Sequence, residues 1–219
     1  MKEAPELGII GHLFNDNESD KWKYEVPYTR LFSSISPKVI LEIGVDNGGS
    51  IKVLRDLFPN AKVYGIDIDE KCAGEGIFIG DQSDHEFLGR VIEEIGSPDL
   101  VIDDGSHKSR DIWNSFLFLF PELAERGFYV IEDLEASYWD ADRAEENDIN
   151  IMDILKSLLD DLNWHGNVWI EWHPAFLDTH GECSNNEELI QERDNRVSYC
   201  GQNIRSISFY NLMAIVEKR

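Results

Sequence analysis

Two pairs of adjacent carboxylates and one histidine are the residues of this sequence best placed to do chemistry. Asp103–Asp104 and Glu132–Asp133 each follow a short apolar run, and His107 stands three residues after Asp104. If the two runs are neighbouring parallel strands, the carboxylates meet at the edge where such sheets bind ligands. Crowded carboxylates raise each other's pKa unless a cation neutralises them, and oxygen ligands suit magnesium, calcium or manganese better than zinc. A histidine at this place could take a proton from a substrate.

A glycine-rich turn after the first apolar run is a second candidate site. Residues 39–45 are nearly all apolar, as expected for a parallel strand that is buried on both faces. Gly44, Gly48 and Gly49 let the backbone turn tightly and approach a ligand before a helix begins. The dinucleotide-binding fingerprint is not met, because Asp46 occupies the place of its second glycine. A turn whose glycines serve tightness alone is the alternative interpretation.

Polar residues also end the next two predicted strands. Asp67 follows the glycine turn by about 20 residues, which is the usual position of a carboxylate that binds ribose hydroxyls. Asp81 and Ser83 lie at the tip of the third strand, where Asp81 could accept a hydrogen bond from an adenine amino group. Ser83 or Asp84 could equally cap the helix that follows.

Composition restricts the class of protein. At 219 residues the chain is long enough for one α/β domain, and its net charge is −23, with 20 basic and 43 acidic residues. This charge would repel a phosphate backbone, so we expect no nucleic-acid partner. Three cysteines without Cys-x-x-Cys spacing argue against a disulfide framework or a zinc site. Without a signal pattern or a run of 18 apolar residues, the sequence predicts a cytoplasmic protein with no membrane partner.

The order of the elements predicts two segments. Residues 1–36 contain apolar residues at helical spacing and form an N-terminal cap segment, and residues 37–219 form the main domain. We expect a sixth strand over 168–173, an insertion or mobile loop over 174–203, and one last antiparallel strand over 204–216 at an edge of the sheet.

Several motifs together carry a resemblance to a known family. The pattern Glu42-x-Gly44-x-x-x-Gly48-Gly49 resembles motif I of class I S-adenosylmethionine-dependent methyltransferases. Seven further segments resemble the sugar O-methyltransferases of the macrocin, mycinamicin and rhamnosyl type, within the cephalosporin hydroxylase-like superfamily. These segments are Ser19–Lys21, Leu41–Gly44, Gly80–Asp84, Ile102–His107, Leu119–Pro121, Ile131–Leu134 and Ser137–Trp139.

This resemblance implies an α/β, Rossmann-like fold: a seven-stranded, mostly parallel sheet with helices on both faces and the first, fourth and fifth strands central. It implies a divalent metal, usually Mg²⁺, and S-adenosylmethionine as cofactor. His107 would be the general base. The implied metal ligands are Asp104, Glu132 and Asp133. The implied cofactor-binding residues are Glu42, Gly44, Asp67, Asp81, Ser83 and Asp103.

The activity implied by the resemblance is methyl transfer to a hydroxyl group of a sugar, such as a deoxysugar or rhamnosyl unit of a natural product or surface glycan. The partner would be a glycosylated small molecule, and we expect a homo-oligomer. Two alternatives stay open at this point. One is a non-catalytic accessory protein that binds S-adenosylmethionine or metal, and the other is a metal-independent small-molecule methyltransferase.

Overall fold

A seven-stranded sheet forms the centre of the computed structural model, which describes residues 8–139, 150–163 and 202–219. The strands are β1 Val39–Ile43, β2 Lys62–Asp67, β3 Ile77–Ile79, β4 Leu100–Asp103, β5 Phe128–Ile131, β6 Ile204–Tyr210 and β7 Met213–Lys218. The helices are α1 Ile9–Asp16, α2 Glu25–Ser34, α3 Gly49–Leu57, α4 His85–Ile95, α5 Ser109–Glu122 and α6 Ile151–Asn163. Short 3-10 helices cover Asp20–Tyr24, Glu70–Cys72 and Leu134–Tyr138.

The strand order is β3-β2-β1-β4-β5-β7-β6, so the prediction that β1, β4 and β5 are central is confirmed. These three strands are parallel and almost wholly buried. Side chains alternate between the two faces of a strand. Leu41 packs into the apolar cluster formed with α4, α5 and α6, whereas Ile40 packs into the cluster formed with α1, α2 and α3. Helices therefore cover both faces, as the sequence predicts.

The C-terminal part of the sheet differs from the prediction. The expected single strand over 204–216 is wrong, because the chain turns at Asn211 and Leu212 and forms the hairpin β6–β7. Leu212 has a φ of +64°, a left-handed conformation that suits a turn and not a strand. β7 pairs antiparallel with β5, which leaves β6 at the edge. The strand predicted over 168–173 and residues 174–201 of the predicted insertion lie outside the described residues.

An aromatic cluster packs the helices of the N-terminal segment against one another. The ring of Tyr28 lies 5.8 Å from that of Phe14 and 4.8 Å from that of Phe32, and all three side chains are buried. This packing fixes the short helix Asp20–Tyr24, which lies between α1 and α2. Side chains of this short helix reach the carboxyl ends of β4 and β5. In the described ranges, no helix is long and apolar enough to cross a membrane.

Candidate active site

The carboxyl ends of the three central strands bring the predicted site residues to one edge of the sheet. Ile43 of β1 is in register with Asp103 of β4, and Asp103 is in register with Ile131 of β5. The glycine turn, the loop after Asp103 and the loop after Ile131 therefore leave the sheet side by side.

Asp104, His107 and Asp133 form a group of potential metal ligands. Each offers one ligand atom, and these atoms all lie within 4.8 Å of one another. His107 Nε2 lies 3.9 Å from Asp133 Oδ2. His107 and Asp133 have φ angles of +58° and +50°, and such conformations cost about 1–3 kcal/mol each and persist only where the surrounding structure holds them. Two strained residues facing each other are typical of a functional site.

Glu132 lies behind this group, in the protein interior. Its side chain is buried, and Oε1 accepts hydrogen bonds from Lys21 Nζ, at 3.1 Å, and from the hydroxyl of Tyr28. Oε2 is also buried and has no hydrogen-bond partner among the described residues. Burial raises the pKa of Glu132 to about 8, although the neighbouring Lys21 ammonium acts in the opposite direction. An unpartnered buried carboxylate oxygen is costly, and a bound cation would satisfy it.

Lys21 is a residue of this candidate site that the sequence alone did not single out. Its side chain is 2% exposed, and Nζ lies 2.5 Å from Asp104 Oδ2 and 3.3 Å from Glu42 Oε1. Burial alone would lower the pKa of Lys21, but the attraction of Glu132, Glu42 and Asp104 outweighs it and keeps the amine charged. The Ser19–Lys21 motif is the sequence feature that points to Lys21, because it contributes to the family resemblance although no role is assigned to it there.

Asp133 is held by two residues of the same short helix. Its Oδ1 accepts a hydrogen bond from the Tyr24 hydroxyl and lies 2.7 Å from Lys23 Nζ, and its backbone N–H donates to the Tyr24 hydroxyl at 3.0 Å. Partial burial would raise the pKa of Asp133, but the bonds from Lys23 and Tyr24 lower it overall. Asp133 therefore presents an ionised carboxylate at the site.

The glycine turn begins with a residue that cannot carry a side chain. Gly44 has a φ of +87°, and a Cβ atom there would lie 2.0 Å from the carbonyl oxygen of Asp104. Glu42, two residues earlier, is fully buried, and its Oε2 accepts a hydrogen bond from Ser50 Oγ at 2.6 Å. The turn is thus packed directly against the loop that carries Asp104 and His107.

Asp67 lies beside the turn as an ionised acceptor. Its Oδ2 accepts hydrogen bonds from the backbone N–H groups of Val45, at 2.8 Å, and Asp46, at 3.1 Å, and its Oδ1 accepts from the N–H of Asp69 at 2.8 Å. Burial would raise the pKa of Asp67, but these three backbone donors lower it overall. The side chain is partly exposed, so its remaining lone pairs can accept hydrogen bonds from a ligand.

Asp81 and Ser83 form an exposed turn after β3. Asp81 Oδ1 accepts hydrogen bonds from Ser83 N and Ser83 Oγ, both at 2.8 Å. The helix cap is Asp84, whose carboxylate accepts from the N–H groups of Glu86 and Phe87 at the start of α4. Since Asp84 performs the capping, Asp81 and Ser83 need not, and the second oxygen of Asp81 is left for a ligand.

Asp103 faces away from Asp104, into the core on the α5 side of the sheet. Its carboxylate accepts hydrogen bonds from Ser115 Oγ at 2.7 Å, the Tyr129 hydroxyl at 2.8 Å and Gln82 Nε2 at 3.1 Å. Burial raises the pKa of Asp103, and the three donors counteract this rise. The structure thus brings Asp104, His107 and Asp133 together, and surrounds Asp103 with protein donors.

The residues at this edge fit a hard divalent cation. Asp104 and Asp133 supply carboxylate oxygens, as magnesium and calcium prefer. Lys21 binds one oxygen each of Asp104 and Glu132, and Glu132 Oε2 is left as an unpartnered buried acceptor. One ammonium faces three carboxyl groups, and a bound cation would favour the ionised form of Glu132, whose pKa burial raises.

Comparisons with known proteins agree with this geometry. No family model matches the chain. It is 37% identical over 191 residues to the 8-demethyl-8-(2-methoxy-alpha-L-rhamnosyl)-tetracenomycin-C 3'-O-methyltransferase of Streptomyces olivaceus, a match that covers 77% of this chain and 48% of that one. It is 33% identical over 195 residues to the mycinamicin VI 2''-O-methyltransferase of Micromonospora griseorubida, covering 82% and 43%.

A solved structure gives the same relationship in three dimensions. The methyltransferase MycE of the mycinamycin biosynthetic pathway, in complex with Mg, SAH and mycinamycin VI, superposes with a TM-score of 0.72 at 29% identity. The superposition covers 95% of this chain and 53% of that one.

Fold and site together define the class: this chain has the Rossmann-like fold of the class I methyltransferases. Within that class it is a relative of the sugar O-methyltransferases of natural-product pathways, and the resemblance predicted from the sequence motifs is confirmed. The chain spans about half the length of the curated relatives that it matches.

Proposed function

We propose that this protein is a metal-dependent O-methyltransferase that moves a methyl group from S-adenosylmethionine to a hydroxyl group of a sugar. The observation that carries the proposal is the Asp104, His107 and Asp133 group, which stands next to the glycine turn at the carboxyl edge of the sheet. A base, hard oxygen ligands and a cofactor turn in one place are the parts that this reaction needs.

S-adenosylmethionine supplies an electrophilic methyl group on a sulfonium. Around it, Asp67 would accept hydrogen bonds from the ribose hydroxyls, because its carboxylate is ionised and partly exposed. Asp81 and Ser83 would bind the adenine, and Gly44 lets the backbone approach the methionine part. Glu42 and Asp103 are buried and already bonded within the protein, so we expect them to support these contacts from behind.

A divalent metal, Mg²⁺ in the first instance, lowers the pKa of a bound hydroxyl and orients it. Asp104 and Asp133 would hold it with Glu132, whose Oε2 is the unpartnered buried oxygen. Lys21, Tyr24 and Tyr28 position these three carboxylates from the N-terminal segment.

His107 would act as the general base. Its side chain is 33% exposed, so it can reach an acceptor hydroxyl and afterwards release the proton to solvent. Asp133 Oδ2, 3.9 Å from Nε2, would stabilise the protonated imidazolium. A positioned general base contributes about 10²–10⁴-fold to the rate.

The proposed acceptor is a glycosylated small molecule, the class of acceptor that the names of the relatives state. The net charge of −23 supports such an acceptor over a nucleic acid, whose phosphates the protein would repel. Homo-oligomerisation and a cytoplasmic location stay predictions.

The test is an acceptor panel with S-adenosylmethionine and Mg²⁺, read out as S-adenosylhomocysteine release. The panel contains deoxysugar glycosides with a vicinal diol, matched glycosides with one isolated hydroxyl, and amino analogues. We expect faster turnover of the diol glycosides than of the other two groups, since two adjacent hydroxyls can both bind the metal. No release with any hydroxyl acceptor, or equal release with amines, would contradict the proposal.

A further inference from the structure

Gln82 connects the loop that carries Asp81 and Ser83 with the loop that carries His107. Gln82 is 6% exposed, and its side chain points into the protein. Its neighbours in sequence, Asp81 and Ser83, are exposed and partly exposed. Gln82 Oε1 accepts a hydrogen bond from the backbone N–H of Ser106 at 2.7 Å. Gln82 therefore belongs to the first loop through its backbone and is hydrogen-bonded to the second loop through its side-chain amide.

The orientation of this amide follows from its neighbours. Oε1 must face Ser106, because a backbone N–H can only donate, and Nε2 faces the carboxylate of Asp103 at 3.1 Å and Ser115 Oγ at 3.2 Å. With the amide reversed, Nε2 would meet the N–H of Ser106 and Oε1 would meet the carboxylate, and both contacts would be repulsive. Asp103 thus fixes the orientation of the Gln82 amide, and this amide fixes the position of the Ser106 backbone.

The close approach also depends on Gly105. A Cβ atom at this position would lie 2.1 Å from Gln82 Oε1 and 2.9 Å from Cγ2 of Ile43. Any side chain at 105 would push the amide away from Ser106. The hydrogen bond between Ser106 and Gln82 therefore explains why position 105 is a glycine.

His107 needs such a bond because its backbone is strained. Its φ of +58° lies in the left-handed region, where a residue other than glycine persists only if the surrounding structure holds it. The loop is tied to β1 through Asp104 N–H, which donates to the carbonyl oxygen of Ile43 at 2.9 Å. Ser106, directly before His107, is tied through Gln82.

We propose that Gln82 is a positioning residue for His107, which makes the placement of the base depend on the loop that contacts the cofactor. The inference rests on the proposed function, in which Asp81 and Ser83 bind adenine and His107 is the base. Binding at 81 and 83 would steady Gln82 between them, and Gln82 would steady the Ser106–His107 backbone. The two loops would then be ordered together when the cofactor is present.

The experiment compares Gln82→Met with Tyr129→Phe. Both variants remove one donor from the buried carboxylate of Asp103, but only Gln82→Met also removes the acceptor of Ser106 N–H. We expect Gln82→Met to lower kcat by about 10- to 100-fold, the usual effect of a small misplacement of a catalytic group, while KM for S-adenosylmethionine changes much less. Tyr129→Phe, which leaves every bond of the Gln82 amide in place, should keep kcat near that of the wild type.

Amide hydrogen exchange of the cofactor-free protein gives a readout that needs no turnover. The Ser106 amide should be protected in the wild type and in Tyr129→Phe, and should lose protection in Gln82→Met. Absence of methyl transfer by the wild type would refute the proposed function and leave this exchange result to decide the connection between the loops. Unchanged protection in Gln82→Met, or an equal loss of kcat in Tyr129→Phe, would overturn the proposal.

Gly105→Ala provides a second route if Gln82→Met does not fold. It keeps the glutamine but displaces its Oε1, so it should lower kcat and Ser106 protection in the same way. If both variants break one bond, the double variant should lose little more than either single one. Full additivity of the two losses would overturn the proposal as well.

Discussion

The proposed cofactor-binding part of the site, around Asp67, and the proposed metal-binding part, around Asp104 and Glu132, are held by different kinds of interaction; they are called the cofactor half and the metal half below. Asp67 is bound by three backbone N–H groups, the most distant of which is 22 residues away in sequence. Asp104 and Glu132 are bound by the ammonium of Lys21, which is 83 and 111 residues away. The cofactor half is thus built from local backbone geometry, whereas the metal half depends on charge balance between distant segments. Substitutions should separate the two halves.

The largest effect should come from His107→Ala. This variant should lose about 10²–10⁴-fold in kcat, the usual contribution of a general base. Affinity for S-adenosylmethionine should stay close to that of the wild type, because the glycine turn and Asp67 are untouched. Turnover assays paired with calorimetry check both values, and a variant that retains full activity would remove His107 from the mechanism.

Lys21→Met should destabilise the fold by about 3–5 kcal/mol, since it leaves the buried Glu42 and Glu132 without their cation. The control is Lys23→Met, which removes a partly exposed ion pair with Asp133 and should cost about 0–1 kcal/mol. Urea unfolding gives both values. Equal free energies of unfolding for the two variants would show that the buried charge balance does not stabilise the metal half.

Asp67→Ala should affect only the cofactor half. We expect affinity for S-adenosylmethionine to fall by about 1.5–3 kcal/mol, the range for a lost hydrogen bond to a charged group. Metal binding, measured by titration with Mg²⁺, should not change. A loss of metal affinity of the same size would mean that the two halves are coupled through the glycine turn.

The smallest expected effect is on acid stability. The pKa of Asp67 is lowered below 3.8 in the folded protein, so its ionised form stabilises the fold above that pH, and the contribution disappears as pH falls through the lowered value. Asp67→Asn should therefore have a lower melting temperature than the wild type at pH 6, and the difference should shrink below pH 3.8. A difference that grows on acidification would contradict this assignment.

The same contrast explains what could be predicted from the sequence. The apolar strands β1, β4 and β5 and the turn at Gly44 follow from patterns within a few residues, and these predictions are confirmed. The order of the strands was implied by the family resemblance, and the structure selects Asp84 over Ser83 as the cap of α4. The apolar alternation continues on both sides of Asn211 and Leu212, so periodicity alone did not reveal the β6–β7 hairpin.

The residues that bind the acidic pairs could not be predicted from local sequence patterns. Lys21 and Tyr28 reach Glu132 across more than 100 residues, and no local pattern distinguishes a buried lysine from an exposed one. The local pattern also did not separate the two members of the Asp103–Asp104 pair, to which only the family resemblance assigned different roles. The structure places one in the core and the other at the site, because successive side chains leave a strand on opposite faces.

The most direct test of the central claim is turnover of the wild-type protein on a diol glycoside before and after metal removal, with affinity for S-adenosylmethionine measured in the same samples. We predict that EDTA abolishes methyl transfer, that added Mg²⁺ restores it, and that cofactor affinity hardly changes, because the proposed cofactor site is the glycine turn and not the metal. Full activity in EDTA would contradict the account, and a metal-independent methyltransferase would take its place.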